Sequence, residues 1–221
     1  MAGDRLRLQI RDPKARADVE DNFRKTIGQL LGGAAVLIGT GFAYYQSQLT
    51  IISQQVSKGF EQLGSDKIVV RLGGIYALEG VMNTSEQYHQ TVLEGLCAFV
   101  RDGTKTDTGQ RPPATDIQAA LTVIGRREAG TGVVDLNGSH VSKAKLSLAN
   151  LREANLSGAD LSGADLSFAA LFLADLRGAD LRFAHLEITN VTQSQLDKAC
   201  SDRGTHLPSG LTIKPCKTIH P

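Results

Sequence analysis

The sequence predicts a β-solenoid preceded by a small α-helical domain and one apolar helix of membrane-spanning length. Three patterns lead there. An aliphatic residue recurs at every fifth position from Leu136 to Val191, apolar residues recur at helical spacing between 65 and 124, and Ile27–Tyr45 runs for nineteen residues without a charge.

The five-residue period decides the main fold. An α-helix turns about 100° per residue, so a step of five rotates by roughly 140° and would scatter the leucines around the axis. A strand instead points residues i and i−2 to one side, so each Ala-x-Leu turns both apolar side chains inward and leaves the other positions for an outer face and a corner. Four such sides make a square coil of about twenty residues, with coils stacked at the sheet spacing of roughly 4.8 Å. Twelve centres from 136 to 191 make three coils.

The triplets Ala149-Asn150-Leu151, Ala154-Asn155-Leu156, Ala159-Asp160-Leu161, Ala164-Asp165-Leu166, Ala174-Asp175-Leu176 and Ala179-Asp180-Leu181 resemble the A(D/N)LXX pattern of the pentapeptide-repeat family. The resemblance covers about a quarter of the chain and implies a right-handed quadrilateral β-helix. Val134, Ser139, Val141, Thr189 and Val191 depart from it near the ends, where repeats are commonly atypical, and Ala170 stands where Asp or Asn is expected. The repeat is expected to stop at Val191. Thr192 and Gln195 form a capping box there, a short helix runs through Leu196, Ala199 and Cys200 with Gly204 as its stop, and the tail covers the last coil.

Ile27–Tyr45 reads as a single membrane anchor. Arg24 and Lys25 precede it and Tyr44 and Tyr45 end it, matching a basic flank and an interfacial aromatic belt. A cleaved signal peptide fits less well because 26 residues with five acidic groups come first. Five glycines weigh against a buried soluble helix, and an interfacial helix is the remaining competitor. Arg11, Lys14, Arg16, Arg24 and Lys25 lie before the span and only Lys58 soon after it. The positive-inside bias then keeps the amino terminus cytoplasmic and places the folded part in the periplasm of a bacterial inner membrane. Gly28, Gly32, Ala35, Gly39 and Ala43 form a stripe of small residues suited to helix–helix packing in lipid, although glycine is also frequent in such helices.

Between anchor and solenoid, Ile68, Leu72, Ile75, Leu78 and Met82 predict a helix capped by Ser65-Asp66. Val92, Leu93, Leu96, Phe99 and Val100 predict a second after Thr84-Ser85, and Ile117, Leu121 and Ile124 a third. Residues 49–63 are expected to extend the anchor, and SDKIVVRLGGIYALEGV looks like one HEAT-type unit. Asp102–Ala114, with Gly103, Gly109 and Pro112-Pro113, is expected to be the most mobile connection, and Gly130–Gly132 the joint to the solenoid. The chain thus divides into a cytoplasmic segment 1–26, a transmembrane helix 27–47, a helical domain 48–130, the repeat 131–191 and a helical cap with tail 192–221.

No catalytic, cofactor-binding or metal-binding constellation emerges. His89, His140, His185, His206 and His220 are scattered, and Gly130-Thr131-Gly132 lacks the third glycine of a dinucleotide loop. Asp160, Asp165, Asp175 and Asp180 occupy the outward slot, where turn hydrogen bonding is the expected role rather than acid–base or calcium chemistry. Cys200 and Cys216 flank the tail and either close a disulfide or stay free; Cys97 sits alone. Net charge is +1, and the sums over 1–26, 49–130 and 134–198 are only +2, −1 and −2, so no strong field calls for nucleic acid.

Surfaces remain. Leu148, Phe168 and Ile188, twenty apart, form an apolar ladder on one outer wall, with Phe172, Leu173 and Phe183 on adjoining walls. Such residues either dock a partner or shield the backbone by stacking on each other. The expected function is therefore a non-enzymatic, membrane-anchored interaction or scaffold protein, possible as an accessory subunit of a larger membrane complex, with a protein partner and no small-molecule substrate. The competing class is a DNA-mimicking inhibitor of a topoisomerase, as some relatives are. Three coils span only about 14 Å and carry too little charge for a duplex mimic. An enzyme is the least supported class, since no nucleophile and base pair up.

Overall fold

The structure is a computed structural model that describes residues 13–106, 109, 111–127 and 132–216. The expectations for Arg11, His220, Gly130 and Thr131 lie outside those residues. The chain divides into two units, Met1–Ile52 and Ser53–Pro221.

In the first unit the described residues belong to helix α1, Pro13–Leu63. It takes in the uncharged run and, as expected, residues 49–63. Leu30, Leu31, Val36, Leu37, Ile38 and Phe42 are all exposed on it. A Cβ added at Gly28, Gly32 or Gly39 would meet no atom within 4 Å, so the small-residue stripe, like the apolar face, is uncovered.

In the second unit the last turns of α1 bury Val56, Gly59 and Leu63 in a layer with α2 (Ile68–Thr84), α3 (Glu86–Thr104) and α4 (Thr115–Gly125). Close approach of α1 and α2 depends on Gly59, where a Cβ would lie 2.6 Å from Leu78 Cγ. Ile75, Leu78, Met82, Val92, Leu93, Leu96, Val100, Ile117, Leu121 and Ile124 fill this core, but Ile68 is exposed and Val81 takes its share of the buried face. The expected caps act differently. Lys67 holds the N-cap position of α2 without a side-chain bond, while Ser65 Oγ accepts from the Lys67 N–H at 3.2 Å. Ser85 holds that of α3, also without one, and Thr84 Oγ1 instead donates to Gly80 O at 2.8 Å, closing the end of α2.

The solenoid follows from the Ala-x-Leu triplets. Parallel bridges join Asp135 to Asn155, His140 to Asp160, Lys145 to Asp165 and Asn150 to Ala170, each twenty residues apart, and define four columns of rungs. Every side is a single bridge, and among the described residues no longer strand forms. The cause is length: three residues make a side, and the next two are consumed by a turn in which, for example, Ala149 N–H donates to Leu146 O at 3.0 Å. Inside, Leu136, Leu151, Leu156, Leu161, Leu166, Leu171, Leu181 and Leu186 are wholly buried, with the alanines between them. Outside, Asp160 Oδ1 accepts from Ser162 N–H at 3.0 Å, and Asp165, Asp175 and Asp180 repeat the bond to the residue two further on. This Asx turn is why the slot before leucine holds Asp or Asn.

Rungs continue beyond Val191. Asp180 pairs with Cys200, His185 with His206 and Ser201 with Pro215. The capping box of Thr192 and Gln195 opens α5, which spans only Gln193–Leu196 and so ends well before Gly204. Leu196 enters the axis fully buried. The Gln195 amide donates to Leu171 O and Ala174 O, satisfying carbonyls at the corner where the ladder is interrupted.

Candidate functional site

The residue two after each leucine takes the left-handed conformation, with φ between 55° and 70° from Gly138 to Phe183. Glycine enters this region freely, whereas an L side chain costs roughly 1–2 kcal/mol. Gly138, Gly158, Gly163 and Gly178 use the free choice, but Leu148, Phe168, Leu173 and Phe183 hold bulky apolar groups in the same geometry. These four, with Phe172 and Ile188, are 42–76 % exposed.

The six do not form one patch. By the twenty-residue register Leu148, Phe168 and Ile188 belong to one corner of successive coils, Phe172 and Leu173 to the next, and Phe183 to the corner on the other side. Ala170 joins the first two groups: lacking a polar side chain, it leaves an apolar band Phe168–Ala170–Phe172 across that wall. Arg152 sits over the Phe172 ring at 5.0 Å, and Phe183 packs against Gly204, where a Cβ would come within 2.4 Å of the ring. Phe168 is 54 % exposed.

Arg177 makes a forked bond to Asp175 and Arg182 to Asp180, with closest N···O distances of 2.6 and 2.5 Å. The Arg177 bond holds the Asp175 carboxyl below the usual range.

The scattered-histidine expectation fails at one place. The rung joining His185 to His206 sets their rings 4.6 Å apart, and the Nδ1 atoms lie 3.4 and 2.8 Å from Glu187 Oε1. From Asp135 to Cys200 the paired rungs are twenty residues apart, but twenty-one separate these, because the chain carries one extra residue between Cys200 and His206, after α5. A strict period points to Thr205, so the pairing was invisible to it. Glu187 keeps a carboxyl pKa below the ordinary value, chiefly through its own backbone N–H and then through His206 and His185. His140 and His89 lie elsewhere, the latter with Nδ1 at 3.1 Å from Met82 O.

Cys200 and Cys216 are joined by a disulfide, while Cys97 is free and buried, its thiol pushed up to about 11 by burial. The loop expected to be mobile touches the solenoid where it is described: Ser142 Oγ donates to Gly109 O at 2.8 Å and Arg111 O at 3.3 Å.

Coils of twenty residues, Ala and Leu inside, an Asx turn outside and a left-handed corner together specify the repeat. Residues 134–167 match the pentapeptide repeats in eight copies. Solved structures to which the chain is similar include two pentapeptide repeat proteins. One is a pentapeptide repeat protein from the Arabidopsis thaliana thylakoid lumen, at 30% identity over 36% of this chain and 55% of that one, with a TM-score of 0.20. The other is a pentapeptide repeat protein from the cyanobacterium Cyanothece 51142, at 26% identity over 44% of this chain and 76% of that one, with a TM-score of 0.19. The chain thus spans about half the length of the Arabidopsis protein. No curated protein sequence matches the chain.

Proposed function

We propose that this chain is a non-enzymatic, membrane-anchored interaction protein whose pentapeptide-repeat corners dock a partner protein of a membrane complex. The observation that carries the reading is Phe168: a large apolar side chain held in solvent, in a backbone conformation that glycine adopts without strain. Solvent exposure and backbone strain both oppose that choice, and contact with another apolar surface offsets both. Leu148 and Ile188 extend the contact along the corner, with Phe172, Leu173 and Phe183 at its margins.

The anchor is Ile27–Tyr45. The apolar face of α1 supports it, since no residue of its apolar window is buried. The basic flank favours a cytoplasmic amino terminus and a periplasmic solenoid, and the Cys200–Cys216 bond suits that oxidising compartment. Gly28, Gly32, Ala35, Gly39 and Ala43 are the surface through which the anchor packs on a neighbouring membrane helix.

Mild-detergent purification of the full chain from native membranes tests the reading. A membrane assembly should travel with the chain and be lost with Phe168→Ser/Leu148→Ser, while circular dichroism stays unchanged. Recovery in the soluble fraction, or an assembly indifferent to both corner and anchor variants, contradicts it.

A further inference from the structure

We infer that His185, Glu187 and His206 form a zinc site on one outer wall of the solenoid. Two imidazoles and one carboxylate are a recurrent zinc ligand set, and such a set leaves the fourth position of the tetrahedron to solvent. Zn–N and Zn–O bonds of about 2.0–2.1 Å place neighbouring ligands of a tetrahedral ion roughly 3.3 Å apart. The two contacts of Glu187 Oε1, 2.8 Å to His206 Nδ1 and 3.4 Å to His185 Nδ1, bracket that edge, and one ligand atom from each residue lies within 4.8 Å of the others.

The backbone supplies much of the preorganisation. The two imidazoles come from paired rungs, so their separation is set by the ladder and not by long side chains: Leu186 N–H donates to His206 O at 2.7 Å, and His206 N–H to Ala184 O at 2.9 Å. Glu187 follows directly at the corner, and its second oxygen faces Ser167 Oγ at 3.5 Å, one rung away. The three side chains are 41–54 % exposed, which leaves an approach for the ion and for a water or partner ligand. Imidazole excludes calcium and magnesium as the preferred guest, because these take oxygen ligands. Copper(II) is the chemical competitor.

The test is zinc titration of the untagged, disulfide-intact full chain in mild detergent against a chromophoric chelator, with cobalt(II) absorption as a readout of coordination. Wild type should take up one equivalent of zinc and give the visible bands of tetrahedral cobalt. His185→Ala, His206→Ala and Glu187→Gln should each weaken binding by about tenfold or more, since even an outer-shell partner is worth that much. His140→Ala should bind as wild type does. Glu187→Gln keeps size and shape, so its loss is not a folding loss. A wild type that binds no zinc, or equal binding by His185→Ala/His206→Ala, overturns the site.

Discussion

The two ends of the solenoid are closed by different means. At the first coil, the helical layer reaches each wall with a different group. Arg101 Nη1 donates to Asp135 O and pairs with its carboxylate at 2.7 Å, and Thr104 Oγ1 accepts from His140 N–H at 3.2 Å. The Gln118 amide both donates to Lys145 O and accepts from Lys145 N–H, each at 2.9 Å, so one side chain imitates a rung. Gly125 O accepts from Asn150 N–H at 2.8 Å. At the last coil the chain closes itself: Ser201 N–H donates to Lys214 O, Cys216 N–H donates to Ser201 O, and the Cys200–Cys216 bond locks the tail over that edge. Open rungs must be matched in either case, because an unmet buried backbone group costs about 1–3 kcal/mol. The amino-terminal end meets them through tertiary packing, the carboxy-terminal end through a covalent loop.

This contrast can be broken at several points. Leu161→Ala in the middle coil should have the largest effect, about 2–5 kcal/mol in denaturant unfolding, because a fully buried leucine has no room to be replaced by relaxation of rigid walls. Its loss should reach both ends. Cys216→Ser comes next. Opening a loop of sixteen-residue separation should remove about 3 kcal/mol, and amide exchange should accelerate at Leu181 and Cys200 while the Lys145 rung stays protected. Gln118→Leu should mirror that result at the other end, at about 1–2 kcal/mol, with exchange accelerating at Lys145 and not at Cys200. Equal exchange changes at both ends in these last two variants would show that the ends are not independent. Phe168→Gly should have the smallest effect on stability, within about 1 kcal/mol of neutral, since relief of the left-handed strain offsets the entropy glycine adds to the unfolded chain. The same change should abolish partner binding, which separates a docking corner from a shielding one.

What could be read in advance depended on range. The coil, its buried Ala and Leu and its Asx turns are local in sequence, so a period of five reveals them. The helix faces in residues 68–124 were visible for the same reason, but their caps were not, because Ser65 and Thr84 each chose a competing backbone partner. Gln118 meeting Lys145, twenty-seven residues away, leaves no local signature. The His185–His206 pair was hidden by one residue inserted between Cys200 and His206, so that a strict twenty-residue count places His206 over Leu186 in the inward slot.

The central claim is that residues twenty apart stack directly above one another. Pairs of cysteines test it: neighbouring rungs are about 4.8 Å apart, inside the Cα range a disulfide accepts. Ser147 and Ser167 occupy one corner on successive coils, with Ser147 Oγ donating to Ser167 O at 3.0 Å, whereas Arg177 turns the opposite corner. Under mild oxidant, Ser147→Cys/Ser167→Cys should cross-link nearly completely by mass spectrometry, and Ser147→Cys/Arg177→Cys should not. Cross-linking of the second pair, or its absence in the first, would contradict the square coil.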